Sequence, residues 1–175
     1  MNTQVRGDAA ESAVLHALVK RGYAVLLPFG QGHPFDLVIH LEGMHFLRVQ
    51  CKNARFDRGC AVFNGYATDH GKGVTRYGGL ADLFGVYFAP RDAVYLVPVG
   101  ELAAHHGRLR IEQARNNQRQ GVRVAADYEI DRWNERRLLA LSPATQESSQ
   151  SSAVEGRVTA PRSAGCGARG RGAGA

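Results

Sequence analysis

The sequence predicts an α/β domain, a mixed central β-sheet flanked by helices, on three observations. An N-terminal stretch sets Ala10, Val14 and Leu18 at i, i+4 and i+8, the apolar stripe of a packed helix. A succession of short apolar runs, broken by Gly, Pro and Asp, follows it. The pattern then returns to helical spacing near residue 126, so the order is helix, strands, helices.

The elements follow in order. Residues 3 to 21 read as the helix, stopped by Gly22. Tyr23 to Pro28, YAVLLP, is a short strand, and FGQGHP is a Gly- and Pro-rich loop. FDLVIHL (35–41) and MHFLRVQCKN (44–53) are two strands joined by a tight hairpin at Glu42 and Gly43. Residues 61–64 give a further short strand. The Gly-rich GYATDHGKGVTRYGG reads as a connection to DLFGVYFA and AVYLVPV, two strands with Pro90 and Asp92 between them. A helical segment at 100–106, an RLRIE strand, a polar stretch and a closing helix at 126–139 complete a domain of residues 1–141. Residues 142–175 are rich in Ser, Gly and Ala and nearly free of large apolar groups, which predicts a disordered tail.

Composition narrows the function. With 44% apolar and 22% charged residues the chain is that of a soluble globular protein. No run approaches the ~18–20 apolar residues of a membrane span, and the polar start MNTQVRGDAAES lacks the apolar core of a secretory signal. The expectation is a cytoplasmic protein with no membrane partner. Three cysteines without C-x-x-C spacing make neither a zinc site nor a disulfide framework. The net charge of +6 permits an anionic partner. Its distribution, +2 in residues 142–175 and +4 in residues 1–141, assigns most of the basic excess to the folded part. Arginines outnumber lysines nineteen to three, so each lysine can be weighed individually.

One strand holds the informative lysine. Alternation in MHFLRVQCKN turns Leu47, Val49 and Cys51 to one face and Phe46, Arg48, Gln50 and Lys52 to the other. The first set is apolar and belongs to the core. In a hairpin turning at 42–43, Asp36 falls opposite position 49 or 50, within reach of Gln50 and Lys52. Glu11 lies on the first helix among the small residues Ala9, Ala10, Ser12 and Ala13, which permit close helix–sheet approach. Two carboxylates and an amide oxygen are hard ligands, suited to Mg2+, with Mn2+ as a substitute, rather than to zinc. An adjacent ammonium completes a set fit for phosphodiester hydrolysis.

G-x-x-A-E at Gly7 to Glu11, R-G-Y-x-V-x-x-P at Arg21 to Pro28, F-D-L-V-I at 35–39 and R-V-Q-C-K at 48–52 together resemble the PD-(D/E)xK nucleases. The likeness is greatest to the group I intron-encoded homing endonuclease branch, where glutamine replaces the acid before x-K. Y-G-G-L-A-D-L-F-G-V-Y (77–87) and V-Y-L-V-P-V (94–99) are similar to that branch as well. The resemblance implies a restriction-endonuclease-like core and metal-dependent cleavage of duplex DNA, of homing or restriction type. It implies that Glu11, Asp36 and Gln50 hold the metal and that Lys52 is the catalytic lysine. Two departures stand out: Phe35 occupies the nominal proline position, with Pro34 one residue earlier, and the neutral Gln50 removes a charge from the metal site. A junction-type structure-specific resolvase and a non-catalytic DNA-binding relative are the alternatives.

Arg55 and Arg58 follow the catalytic strand, and Lys72 and Arg76 lie in the Gly-rich connection. All four are candidate DNA contacts along the phosphate backbone. Arg108, Arg110, Arg115, Arg119 and Arg123 form a second basic stretch, either a DNA-contacting strand and loop or polar surface. His33 and the His105–His106 pair lack metal-ligand spacing and read as surface or turn residues. The folded part leaves little room for a separate recognition domain, so a homo-oligomer, dimer or tetramer, is expected.

Overall fold

The computed structural model describes residues 2–30, 32–69, 73–102, 106–112 and 123–141, without the side chains of 67–75. The expected tail (142–175), Lys72, His105, Arg115 and Arg119 lie outside the described residues.

Helix α1 spans Thr3–Lys20, and its Asn2 cap accepts a hydrogen bond from the Gln4 amide. Its buried stripe is Ala10, Val14, Ala17 and Leu18, the expected face with Ala17 added. Gly22, at φ +83°, supplies the left-handed residue that ends the helix. The strands follow as β1 Ala24–Leu26, β2 Leu37–Leu41 and β3 His45–Asn53. Next come β4 Arg55–Asp57, β5 Cys60–Asn64, β6 Tyr66–Asp69 and β7 Gly73–Arg76. The last are β8 Leu83–Phe88, β9 Ala93–Pro98 and β10 His106–Arg110. Helix α2, Glu135–Leu139, closes the described chain.

Five strands form the main sheet in the order β1-β2-β3-β8-β9. Every pairing in it is antiparallel except β3 with β8, which run parallel. The sheet is therefore mixed, as the sequence predicts, with β3 at its centre. A parallel pair needs a long crossover. Here the crossover is residues 54–82, which carry β4 and β5; these pair with β10 as a second sheet, β10-β5-β4.

The two faces of the main sheet bury different cores. On one face α1 packs through Val14 and Leu18 onto Leu37, Ile39, Leu47, Val49 and Leu83. On the other, Phe84, Val86 and Phe88 of β8 meet Phe63, Tyr77 and Leu109. At ~25 cal/mol per Å2 of apolar surface, two such cores supply the main stabilising term.

Three expectations need correction. The Gly-rich connection contains an antiparallel β6–β7 hairpin, with Tyr66 opposite Arg76. In place of a helix at 100–106 there is one 3-10 turn, Val99–Glu101, and β10 already begins at His106; residues 103–105 are outside the described set. The closing helix of 126–139 is broken into two 3-10 turns, Ala125–Asp127 and Ile130–Arg132, and the five-residue α2. Tertiary pairing explains the break. The Leu96 amide donates to the Tyr128 carbonyl at 2.8 Å, and Tyr95 bridges Glu129, so the chain is drawn out along β9 before Asn134 caps α2. Among the described residues no helix is long and apolar enough to cross a membrane.

Candidate active site

The β2–β3 hairpin sets the site. Its turn, Glu42–Met44, holds Gly43 at φ +70°, and the register places Leu37 opposite Val49. One step further, the Asp36 amide donates to the Val49 carbonyl at 2.9 Å, so the aspartate lies beside Gln50 as its sequence position predicts. Two donors then converge on one carboxylate oxygen. Gln50 Nε2 donates to Asp36 Oδ2 at 2.5 Å, and the Cys51 amide donates to the same oxygen at 2.6 Å. The carboxylate is thereby fixed in rotation, with Oδ1 outside this pair of bonds.

Alternation along β3 sorts the rest. Leu47, Val49 and Cys51 are buried against α1, while Gln50 and Lys52 are half-buried on the opposite face. Lys52 Nζ donates to the Tyr77 hydroxyl at 2.9 Å and stands 4.5 Å from the centre of that ring. Arg48, third on this face, is spent on structure. Its guanidinium grips Asp82 through Nε–Oδ2 at 3.0 Å and Nη2–Oδ1 at 2.8 Å, and reaches the Gly79 carbonyl at 2.8 Å.

Glu11 projects from α1 into a cleft of about 530 Å3 that Asp36 also lines. His33, Phe35, Gly30 and Gly32 also line it. His33 is exposed there and hydrogen-bonds the Phe29 carbonyl at 2.9 Å, in keeping with a turn role.

Electrostatics tie these groups together. Burial raises the Glu11 carboxyl above its usual range, and the charges of Asp36 and Asp8 raise it further. Burial also raises Asp36, against the opposing pull of the Cys51 amide, Lys52 and Gln50. Lys52 moves the other way: burial lowers it, while Asp36 and Cys51 hold it up. The Cys51 thiol is pushed far up by burial and then by Asp36 and Glu11, which marks it as inert.

These residues suit a hard divalent cation. Among the described residues no cluster of three His, Cys, Asp or Glu side chains forms a metal site. The set here is two carboxylates and an amide. Burial and then the charges of Asp36 and Asp8 raise Glu11, and a bound cation would relieve the part due to charge. Gln50 uses its Nε2 toward Asp36 and, at 3.4 Å, toward the Cys51 carbonyl, so its Oε1 is the atom outside these bonds.

Of the candidate DNA contacts, Arg55 is exposed on β4, Arg58 is exposed at φ +48° in the β4–β5 turn, and Arg76 is exposed at the end of β7. Arg108 of the second basic stretch forms a surface ion pair with Asp57 at 3.2 Å. Sequence reasoning gave no role to Tyr77. Its one signal was a tyrosine at the head of YGGLADLFGVY, and no local pattern says that it folds back onto Lys52.

A model of the PD-(D/E)XK endonuclease family matches residues 1–131. No curated protein matches the chain. Among solved structures, the bacterial homing endonuclease I-Ssp6803I superposes with a TM-score of 0.61 over 87% of this chain and 99% of its own, at 22% identity. At that identity the likeness is one of fold.

Proposed function

The chain belongs to the PD-(D/E)XK endonuclease family over residues 1–131, and on that premise we propose that it is a metal-dependent nuclease hydrolysing phosphodiester bonds in duplex DNA. Glu11, Asp36 and Gln50 hold the cation, Mg2+ or Mn2+ in its place, and Lys52 is the catalytic lysine. The observation that carries this reading is the pairing of Gln50 Nε2 and the Cys51 amide on Asp36 Oδ2, on the strand that also presents Lys52. A surface aspartate has no need of two such donors. A carboxylate that must present one oxygen to a cation does.

When bound, the cation supplies Lewis-acid charge at the scissile phosphate and acidifies the attacking water. The chain's own groups do the remainder. Lys52 orients that water and offsets negative charge as phosphorus becomes five-coordinate and one P–O ester bond breaks. Glu11 and Asp36 line the same cleft. Arg55, Arg58, Lys72 and Arg76 contact backbone phosphates, which gives register and salt-dependent affinity without base reading. A homing or restriction-like substrate is supported by the fold neighbour, itself a homing endonuclease. A homo-oligomer acting in the cytoplasm completes the proposal.

The test is nicking of supercoiled plasmid and cutting of linear duplex with Mg2+, Mn2+ or EDTA, comparing wild type, Asp36→Ala and Lys52→Ala. Wild type should cut with either metal and stop in EDTA. Asp36→Ala should be inactive. Lys52→Ala should bind DNA normally yet lose cutting by about 100-fold or more. Equal cutting by all three proteins, or none by wild type on any DNA form, overturns the reading in favour of a DNA-binding protein.

A further inference from the structure

We propose that Tyr77 is a positioning residue for the catalytic lysine, holding the Lys52 ammonium where the reacting phosphate group will lie. The inference rests on the nuclease reading above and adds a residue to it.

The contact is two-sided. The ammonium donates to the hydroxyl at 2.9 Å and stands 4.5 Å from the ring centre, so one tyrosine both accepts its hydrogen bond and faces its charge. A lysine has four rotatable bonds and a strongly hydrated head, and half-buried it would otherwise swing toward water. Fixing it removes that freedom before substrate arrives, which is how preorganised charge accelerates a reaction.

Tyr77 can act as a fixed point because it is itself fixed. It is 6% exposed, and its ring meets Phe84 edge-on at 5.5 Å. Phe84 lies on β8 beside Gln50, two residue pairs from Lys52 and Val86 and on the same face of the sheet. The turn after Tyr77 is closed by its own carbonyl, which accepts from the Leu80 and Ala81 amides at 2.9 and 3.0 Å. That turn is bolted to β3, where the Asp82 amide donates to the Arg48 carbonyl at 2.9 Å and the Arg48 amide donates to Asp82 Oδ2 at 2.8 Å. Arg48 and Lys52 share one face of one strand. The clamp at the first therefore sets the distance between Tyr77 and the second. A buried tyrosine needs a partner for its hydroxyl, but a backbone carbonyl would satisfy it. The partner here is the one charged group on this face that the Arg48 clamp leaves free to meet substrate.

The experiment is single-turnover cleavage of duplex DNA with Mg2+ by wild type, Lys52→Ala, Tyr77→Phe and the double variant, with DNA affinity and melting temperature measured for each. Tyr77→Phe keeps the ring and its packing and removes the acceptor. Its cleavage rate should fall about tenfold with DNA affinity unchanged, and it should cause no further loss in the Lys52→Ala background. Phe63→Leu, which loosens the same aromatic cluster without reaching Lys52, controls for softening of the core. Wild-type cleavage by Tyr77→Phe, beside inactive Asp36→Ala and Lys52→Ala proteins, overturns the tyrosine's role and leaves the site intact. So does a loss that Phe63→Leu reproduces at equal melting temperature, or one that persists undiminished without Lys52. Absence of cleavage by wild type overturns both readings together.

Discussion

Adding a single methyl group to Gly85 should displace the helix that carries Glu11. Gly85 lies in the middle of β8, opposite Cys51 of β3. A Cβ built there would come 2.7 Å from Val14 Cγ1, 3.1 Å from Val14 Cγ2 and 3.1 Å from Val49 Cγ1. The closest of these is about 0.7 Å short of ordinary contact at 3.4 Å. Val14 cannot rotate away cheaply, since a helical valine strongly prefers one rotamer and this one is fully buried. The helix must yield instead, and Glu11 sits one turn earlier on it. Overpacking of this kind costs about 1–3 kcal/mol. The stiffer unfolded chain of an alanine returns ~0.4–1 kcal/mol. A net loss of about 1–2 kcal/mol lowers the melting temperature of a domain this size by roughly 4–8 °C. Scanning calorimetry without metal measures it. Val14→Ala, destabilising alone, should open the room the new methyl needs, so the double variant should be more stable than the sum of the single losses by about 1 kcal/mol. Additive losses, or an unchanged melting temperature in Gly85→Ala, would refute the close-approach argument.

Two further predictions concern charge. Glu11→Gln removes a carboxylate that burial and Asp36 both disfavour, so without metal it should raise the melting temperature at neutral pH by about 1–2 °C, a small gain because the group is partly solvated. A carboxyl raised in the folded state stabilises most when protonated, so the advantage of glutamine should vanish as pH falls below 4.5, the ordinary value of the group. A gain that grows on acidification would contradict this, and the same variant should show a smaller Mg2+-induced rise in melting temperature than wild type. Arg48→Lys keeps the charge but cannot reproduce the two-pronged grip on Asp82, which is 10% exposed. It should cost about 2 kcal/mol in urea unfolding, and a loss under about 0.5 kcal/mol would show that the clamp is dispensable.

What could be read from the sequence depended on whether the relevant contact is local. Asp36 beside Gln50 was legible because a short hairpin fixes its own register, and alternation along β3 then separated Leu47, Val49 and Cys51 from Gln50 and Lys52. The Lys52–Tyr77 contact was not legible. It spans the crossover between parallel strands, where nothing in the intervening residues counts out a register. The closing segment misled for a related reason. Its spacing suits a helix, but pairing of Tyr128 and Glu129 with β9 is a tertiary event that spacing cannot report. Gly85 left a clue of another kind, a glycine inside the apolar run LFGVYF, which marks a place where another element comes close. Of the small residues around Glu11, Ala10 is buried at 1% exposure and Ala13 partly so, whereas Ala9 and Ser12 face solvent.

The parallel pairing of β3 with β8 has a consequence for the order in which the protein becomes competent. Residues 11, 36, 50, 52 and 77 are all synthesised before the strand that braces β3 on its second side, residues 83–88. Until then the nascent chain carries Gln50 and Lys52 of the candidate site on a strand with one open edge, and Glu11 on a helix without half of its floor. Such a fragment lacks the rigidity that preorganisation requires. The candidate site can therefore become rigid only after β8 has been synthesised and the sheet can close around β3.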